Sequence, residues 1–218
     1  WAGEETWPST NTINKTMYFR DRNLLPEGGG NSIRIVNSPQ TVGRCTPFFG
    51  NMGAGDPQDP LDQRLDDSMS VCFDSSPLDK EFSILGAPAV TLEIESDKPS
   101  AFICVRLNEL RADGSSLLVT YGILNLTHRN SHENIEPLEV GKRYSVQVFL
   151  NDIGHTFDEG SQIRIAVSTS FWPIVWPSPQ PVKISIHTGS SHLVLPIRPR
   201  KEQDANIDHL PPAKHARV

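Results

Sequence analysis

Three cysteines in 218 residues, Cys45, Cys72 and Cys104, are too few and too widely spaced for a disulfide framework or a paired-thiol metal site. Cys72 and Cys104 each sit in an apolar, strand-like run, where a buried thiol in a reducing, cytoplasmic setting is the natural expectation. Apolar runs approaching the ~20 residues that span a bilayer are absent, as is an apolar leader of signal-peptide type. Basic clusters are missing too. With 20 Lys and Arg against 26 Asp and Glu the net charge is −6, which argues against nucleic acid or an anionic membrane as partner. No two glycines are four positions apart, so the G-x-S-x-G turn that exposes a hydrolase serine cannot be built. Amphipathic helices of three turns are also lacking.

What is present is β-structure. Val90, Leu92 and Ile94 alternate with Thr91, Glu93 and Glu95, giving one buried and one wet face. Ala101, Ile103, Val105 and Leu107 continue the period. The run RADGS at 111–115 predicts a hairpin turn into 116–126, with Gly114 free to take positive φ. Tyr144 to Leu150, Ile163 to Thr169, Ile184 and Ile186, and Leu193 to Ile197 supply further strands, the last two around an expected GlySerSer turn at 189–191. Many short strands at regular spacing predict an all-β chain folded as a jelly-roll β-sandwich, of the galactose-binding-domain-like kind, over residues 1–199. The segment 1–67 reads as less regular: strand candidates at 17–19 and 32–36 flank a Gly-rich turn at 23–32, and a long loop covers 37–67. Residues 200–218 read as a polar tail or truncated linker.

Chemistry is sparse. His187 and His192 flank the GlySerSer turn, but a hairpin offers no oxyanion hole. His128 and His132 are four apart in LTHRNSHENIEP, with Glu133 and Glu136 nearby; a zinc-protease helix would place its glutamate between the histidines, so a polar connection between strands is expected. Asp56, Asp59, Asp62, Asp66 and Asp67 fit no EF-hand spacing and read as a turn-rich loop, with Arg64 paired to a neighbouring carboxylate. Asn14-Lys-Thr16 and Asn125-Leu-Thr127 match glycosylation sequons by chance. Neither cofactor nor metal is expected. The stretch SFWPIVWPSPQP, 170–181, holds two tryptophans and four prolines, so the sheet must end there. Trp172 and Trp176 could stack on sugar rings, as in a carbohydrate-binding module; a proline after each favours packing instead.

A series of phrases carries a resemblance over most of the chain: DQRLDD at 62–67, SSPL at 75–78, LGAPAVTLEIESD at 85–97, ELRADGSS at 109–116, FDEGSQIRIAVSTSFWP at 157–173 and SSHLVLPIRP at 190–199. From about Trp1 to Pro199 the sequence resembles the C-terminal, non-catalytic domain of the X-prolyl dipeptidyl-peptidase and cocaine-esterase (CocE/NonD) family of serine hydrolases. The resemblance implies that the catalytic triad lies in an N-terminal α/β-hydrolase domain outside this sequence, so no catalytic residue is assigned here. It implies a sandwich that docks on that domain and helps wall its pocket, and a parent substrate that is a small acyl ester, amide or peptide. It also makes CTPFFGNMGAG, 45–55, the loop nearest the pocket, with Phe48 and Phe49 as pocket-facing candidates. Trp172 and Trp176 are candidates for the domain interface. An exposed edge or docking face would let copies of the chain self-associate.

Overall fold

The protein is described by a computed structural model covering residues 2–46, 62–202 and 204. Its described strands are β1 (Ile13–Arg20), β2 (Asn23–Leu25), β3 (Ile33–Val36), β4 (Val71–Asp74), β5 (Phe82–Gly86), β6 (Ala89–Ser96), β7 (Phe102–Leu110), β8 (Ser116–Asn125), β9 (Arg143–Phe149), β10 (Ile153–Phe157), β11 (Gln162–Ser168) and β12 (Ile184–Arg198). One short helix, α1 (Arg64–Ser68), precedes β4. The all-β expectation is met.

Two walls face one core. In the first, β9, β6 and β12 lie side by side, with β3 beside the first half of β12 and β1 beside the second. In the second, β4, β11, β7 and β8 follow in order. The walls are stitched at a corner by the β1–β2 hairpin and a single parallel bridge, Asn23 to Asp74, so the twelve strands form one hydrogen-bonded sheet folded over itself. The alternation read from the sequence places Val90, Leu92 and Ile94 inward from β6. Ile103, Val105 and Leu107 from β7, and Ile163, Ile165 and Val167 from β11, join them in one cluster. Phe19 of β1 stacks on Phe73 of β4 at 4.3 Å, so an aromatic pair spans the walls.

Three local expectations are corrected. Residues 23–32 are not all turn: Asn23–Leu25 pair back onto β1 as β2, and the chain reverses at Asp21, which takes φ 57°. The loop 37–67 contains α1. The third correction concerns 189–191, which is no hairpin. β12 runs through it as one strand of 15 residues, and the register against β6 slips between His187 and His192. Ser191 makes the bulge tolerable: its hydroxyl donates to His187 O (2.7 Å) and accepts from Glu93 N (3.0 Å), standing in for ladder bonds the extra residues interrupt. The RADGS hairpin forms as expected, with Gly114 at φ 82°.

At the chain ends Arg198 is gripped by Glu4 (2.7 Å) and by both carboxylate oxygens of Asp204 (2.5 and 2.7 Å), while Lys201 also reaches Glu4 (2.9 Å). The start of the expected polar tail is therefore pinned. Clefts of about 710 and 410 Å³ flank this grip, lined by Phe82, Ser83, Thr156 and Arg198 among others.

Candidate functional site

The strand FICVRLNEL should show one wet face, yet both faces of β7 are buried. Its inward face meets the core. Its outward face presents Phe102, Cys104, Arg106 and Asn108, and a cover lies over them made of residues 42–46, residues 63–70 and the Trp-Pro crossover.

An ion network fastens the cover. Arg106, with 0% of its side chain exposed, donates to Gln63 Oε1 (2.8 Å) and Ser70 Oγ (3.0 Å) and pairs with Asp67 Oδ1 (3.0 Å). Asp67 also accepts from Asn108 Nδ2 (3.0 Å), Ser116 Oγ (2.7 Å) and Arg164 Nη1 (3.2 Å). Arg164 forks onto Asp74 with two 2.7 Å bonds, which holds its pKa above the usual arginine range. Asp66 accepts from Cys45 N (3.0 Å), and Gln63 Nε2 donates to Cys45 O (2.7 Å). DQRLDD is thus a buried clasp joining α1, the 42–46 loop and four strands. Only its outer edge matches the sequence reading, in the exposed Asp62–Arg64 pair at 2.8 Å. Burial pushes the Cys72 and Cys104 thiols up to about 12 and raises Cys45 as well; all three cysteines are free. Five buried side-chain polar atoms among the described residues have no hydrogen-bond partner, and they belong to Thr46, Asp66, Arg106, Asn108 and Ser170, all members or neighbours of this cover.

The clasp sets the tryptophans in place. Trp172 N donates to Val42 O (2.7 Å), and Val175 N donates to Phe171 O (2.8 Å), closing one turn. Phe171 is buried against Tyr121 at 4.9 Å. Gly43 makes the approach feasible: at φ 113°, a Cβ there would lie 2.6 Å from Trp172 O. The turn puts Trp172 and Trp176 face to face, centroids 5.2 Å apart and planes 15° apart, and the Trp172–Pro173 peptide is cis. The two rings pack on each other, with Trp172 38% exposed and Trp176 78%. Phe48 and Phe49 lie outside the described residues. The loop that carries them leaves from Thr46, whose N–H closes a turn onto Gly43 O, so its root adjoins the tryptophan pair.

The other candidates do not assemble catalytic chemistry. The His187 ring is held between Glu95 Oε1 (2.8 Å) and the Arg143 guanidinium (2.8 Å), while the Ser191 hydroxyl serves the backbone; they are no nucleophile and base. His192 lies tilted against the Tyr18 ring, centroids 5.7 Å apart. Glu136 is tied to Arg129 (3.2 Å) and Asn130 (3.1 Å), away from any set of three ligands, and among the described residues no three His, Cys, Asp or Glu side chains gather for a metal. No helix of the described residues is long and apolar enough to cross a membrane. Sequence reasoning missed Arg106 and Arg164. The available signal was an arginine amid the apolar run of β7, since a charge at mid-strand requires a partner.

Comparison with known proteins agrees with this architecture. The chain is 23% identical over 190 residues to the cocaine esterase of Rhodococcus sp., covering 79% of this chain and 32% of that protein. Among solved structures, an aminopeptidase from a marine sediment archaeon of the Thaumarchaeota superposes with TM-score 0.80 at 17% identity, over 91% of this chain and 39% of its own. An alpha-amino acid ester hydrolase gives 0.72 at 21% identity, over 85% of this chain and 36% of its own. The chain spans about a third of the length of the curated relatives it matches. Over residues 1–218 it matches the X-Pro dipeptidyl-peptidase C-terminal non-catalytic domain, and it belongs to that family.

Proposed function

We propose that this chain is the ancillary β-sandwich of a serine hydrolase of CocE/NonD type, silent alone, which packs on its catalytic domain through the tryptophan end and helps wall the substrate pocket. The observation that carries the reading is the stacked Trp172–Trp176 pair, open to solvent yet set rigidly by a buried ion clasp. Large aromatics left exposed on a rigid frame are what a docking surface needs, because little side-chain entropy remains to be lost on association. The root of the 45–55 loop beside them favours the same end as the one facing the pocket. The parent's substrate class is a small acyl ester, amide or peptide, and the three free thiols suit a cytoplasmic setting. Hydroxyl-radical footprinting tests the docking surface. Trp172 and Trp176 should be oxidised in the isolated chain and protected in the full-length hydrolase; equal oxidation in both would remove this end as the interface. Saturable hydrolysis of activated acyl esters or X-Pro substrates by the chain alone, abolished by a serine phosphonate, would overturn the non-catalytic role.

The exposure of Trp176 also suits a second reading, stacking on sugar rings as a carbohydrate-binding module. Tryptophan emission unchanged across a broad glycan panel would end it.

A further inference from the structure

The connection between β8 and β9 is polar, as the sequence leads one to expect, but it is firmly braced. The Asn125 side chain accepts from Thr127 N and caps a short 3-10 turn, Leu126–His128. Arg129 Nη1 donates to Leu126 O (3.1 Å) and Glu136 O (2.6 Å), and its guanidinium lies 4.6 Å from the Tyr144 ring centroid. Glu136 N donates to Thr127 O (2.9 Å), and Ser131 Oγ accepts from Glu133 N and Asn134 N.

On this frame His128 Nδ1 and His132 Nδ1 stand 3.2 Å apart, with ring centroids at 5.4 Å. Two ring nitrogens facing each other either share one proton or converge on a third atom. Imidazole nitrogens bound at about 2.0–2.1 Å to one tetrahedral ion are separated by about 3.3 Å, which is nearly the spacing already present. We infer that His128 and His132 form a two-imidazole chelate for a late first-row divalent cation, Zn²⁺ first, with water completing the shell. Imidazole suits this class of ion, and Glu136, engaged by Arg129 and Asn130, leaves the outer positions to solvent. Among the other described histidines, His155 is bonded to Glu109, His187 to Glu95 and Arg143, and His192 to Ser190 O, and burial keeps the Cys72 and Cys104 thiols protonated. An ion here would clip the β8–β9 connection without touching the tryptophan end.

The test is calorimetric titration of the untagged, chelator-treated chain with ZnCl₂, alongside His128→Asn and His132→Asn, with circular dichroism to check the fold. One equivalent should bind, at least about tenfold more weakly in either variant. In NMR spectra of the unsubstituted chain, the His128 and His132 ring signals should move first. Absence of binding, affinity in either variant unchanged from that of the unsubstituted chain, or first movement of other rings, such as His209 or His215 of the tail, would overturn the assignment.

Discussion

Replacing Asp67 by alanine removes the one carboxylate among the described residues that pairs with Arg106. The guanidinium would keep only the neutral oxygens of Gln63 and Ser70, while Asn108 and Ser116 would each lose a charged acceptor. Arg164 loses its 3.2 Å bond to Asp67 but keeps the two-bond fork onto Asp74. Stranding a buried charge by deleting its partner costs about 3–5 kcal/mol, several times a neutral hydrogen bond. For a chain of this size about 1 kcal/mol moves Tm by about 2–4 °C, so Asp67→Ala should melt about 6–20 °C lower. Asp62→Ala is the internal control. Five residues away in the same phrase, it breaks an exposed pair with Arg64, worth about 0–1 kcal/mol, plus backbone bonds to Arg64 and Ser116 of modest value. Urea unfolding followed by far-ultraviolet circular dichroism compares the two directly. A cost below about 1 kcal/mol for Asp67→Ala, or equal costs for the two substitutions, would refute the clasp.

Four further outcomes follow from the same geometry. Phe171→Ala should cost about 3–5 kcal/mol in the same assay because its ring is buried on Tyr121, whereas Trp176→Ala should stay within about 0.5 kcal/mol because that ring is mostly in solvent. Gly43→Ala should lower stability by about 1–3 kcal/mol and shift tryptophan emission, since the added methyl meets the Trp172 backbone at a positive φ. Bonds from Lys201, Ser9 and Arg198 hold the Glu4 carboxyl down to about 2, below its ordinary value of 4.5. Its contribution is therefore complete above the unfolded value and lost as pH falls toward 2; amide protection at the chain ends, taken relative to the intrinsic exchange rate at each pH, should fall across that window, and unchanged protection would contradict the grip. Iodoacetamide at pH 8 should leave Cys72 and Cys104 unmodified in the native chain and alkylate both after denaturation, as read by mass spectrometry, because burial holds these thiols protonated.

The inward faces of β6, β7 and β11 were legible because period-2 alternation depends only on neighbours in sequence. What could not be read were choices made across the fold. GlySerSer at 189–191 has turn composition, yet β6 lies alongside both halves of β12, and a serine hydroxyl absorbs the slip; local chemistry favoured a turn, and long-range pairing imposed a bulge. The aspartates of DQRLDD read as part of a turn-rich loop because their partners are distant in sequence: Asn108 lies 41 residues from Asp67 and Arg164 lies 97. The tryptophans show the reverse. Proline stiffening was legible and the turn formed, but whether rigid rings face inward or outward depends on what already fills the space beneath them. Here the neighbouring Phe171 takes the buried position, packed on Tyr121. With that layer closed by the clasp, the stacked pair is left outside as rigid apolar surface, and it is on this surface that the proposed docking role rests.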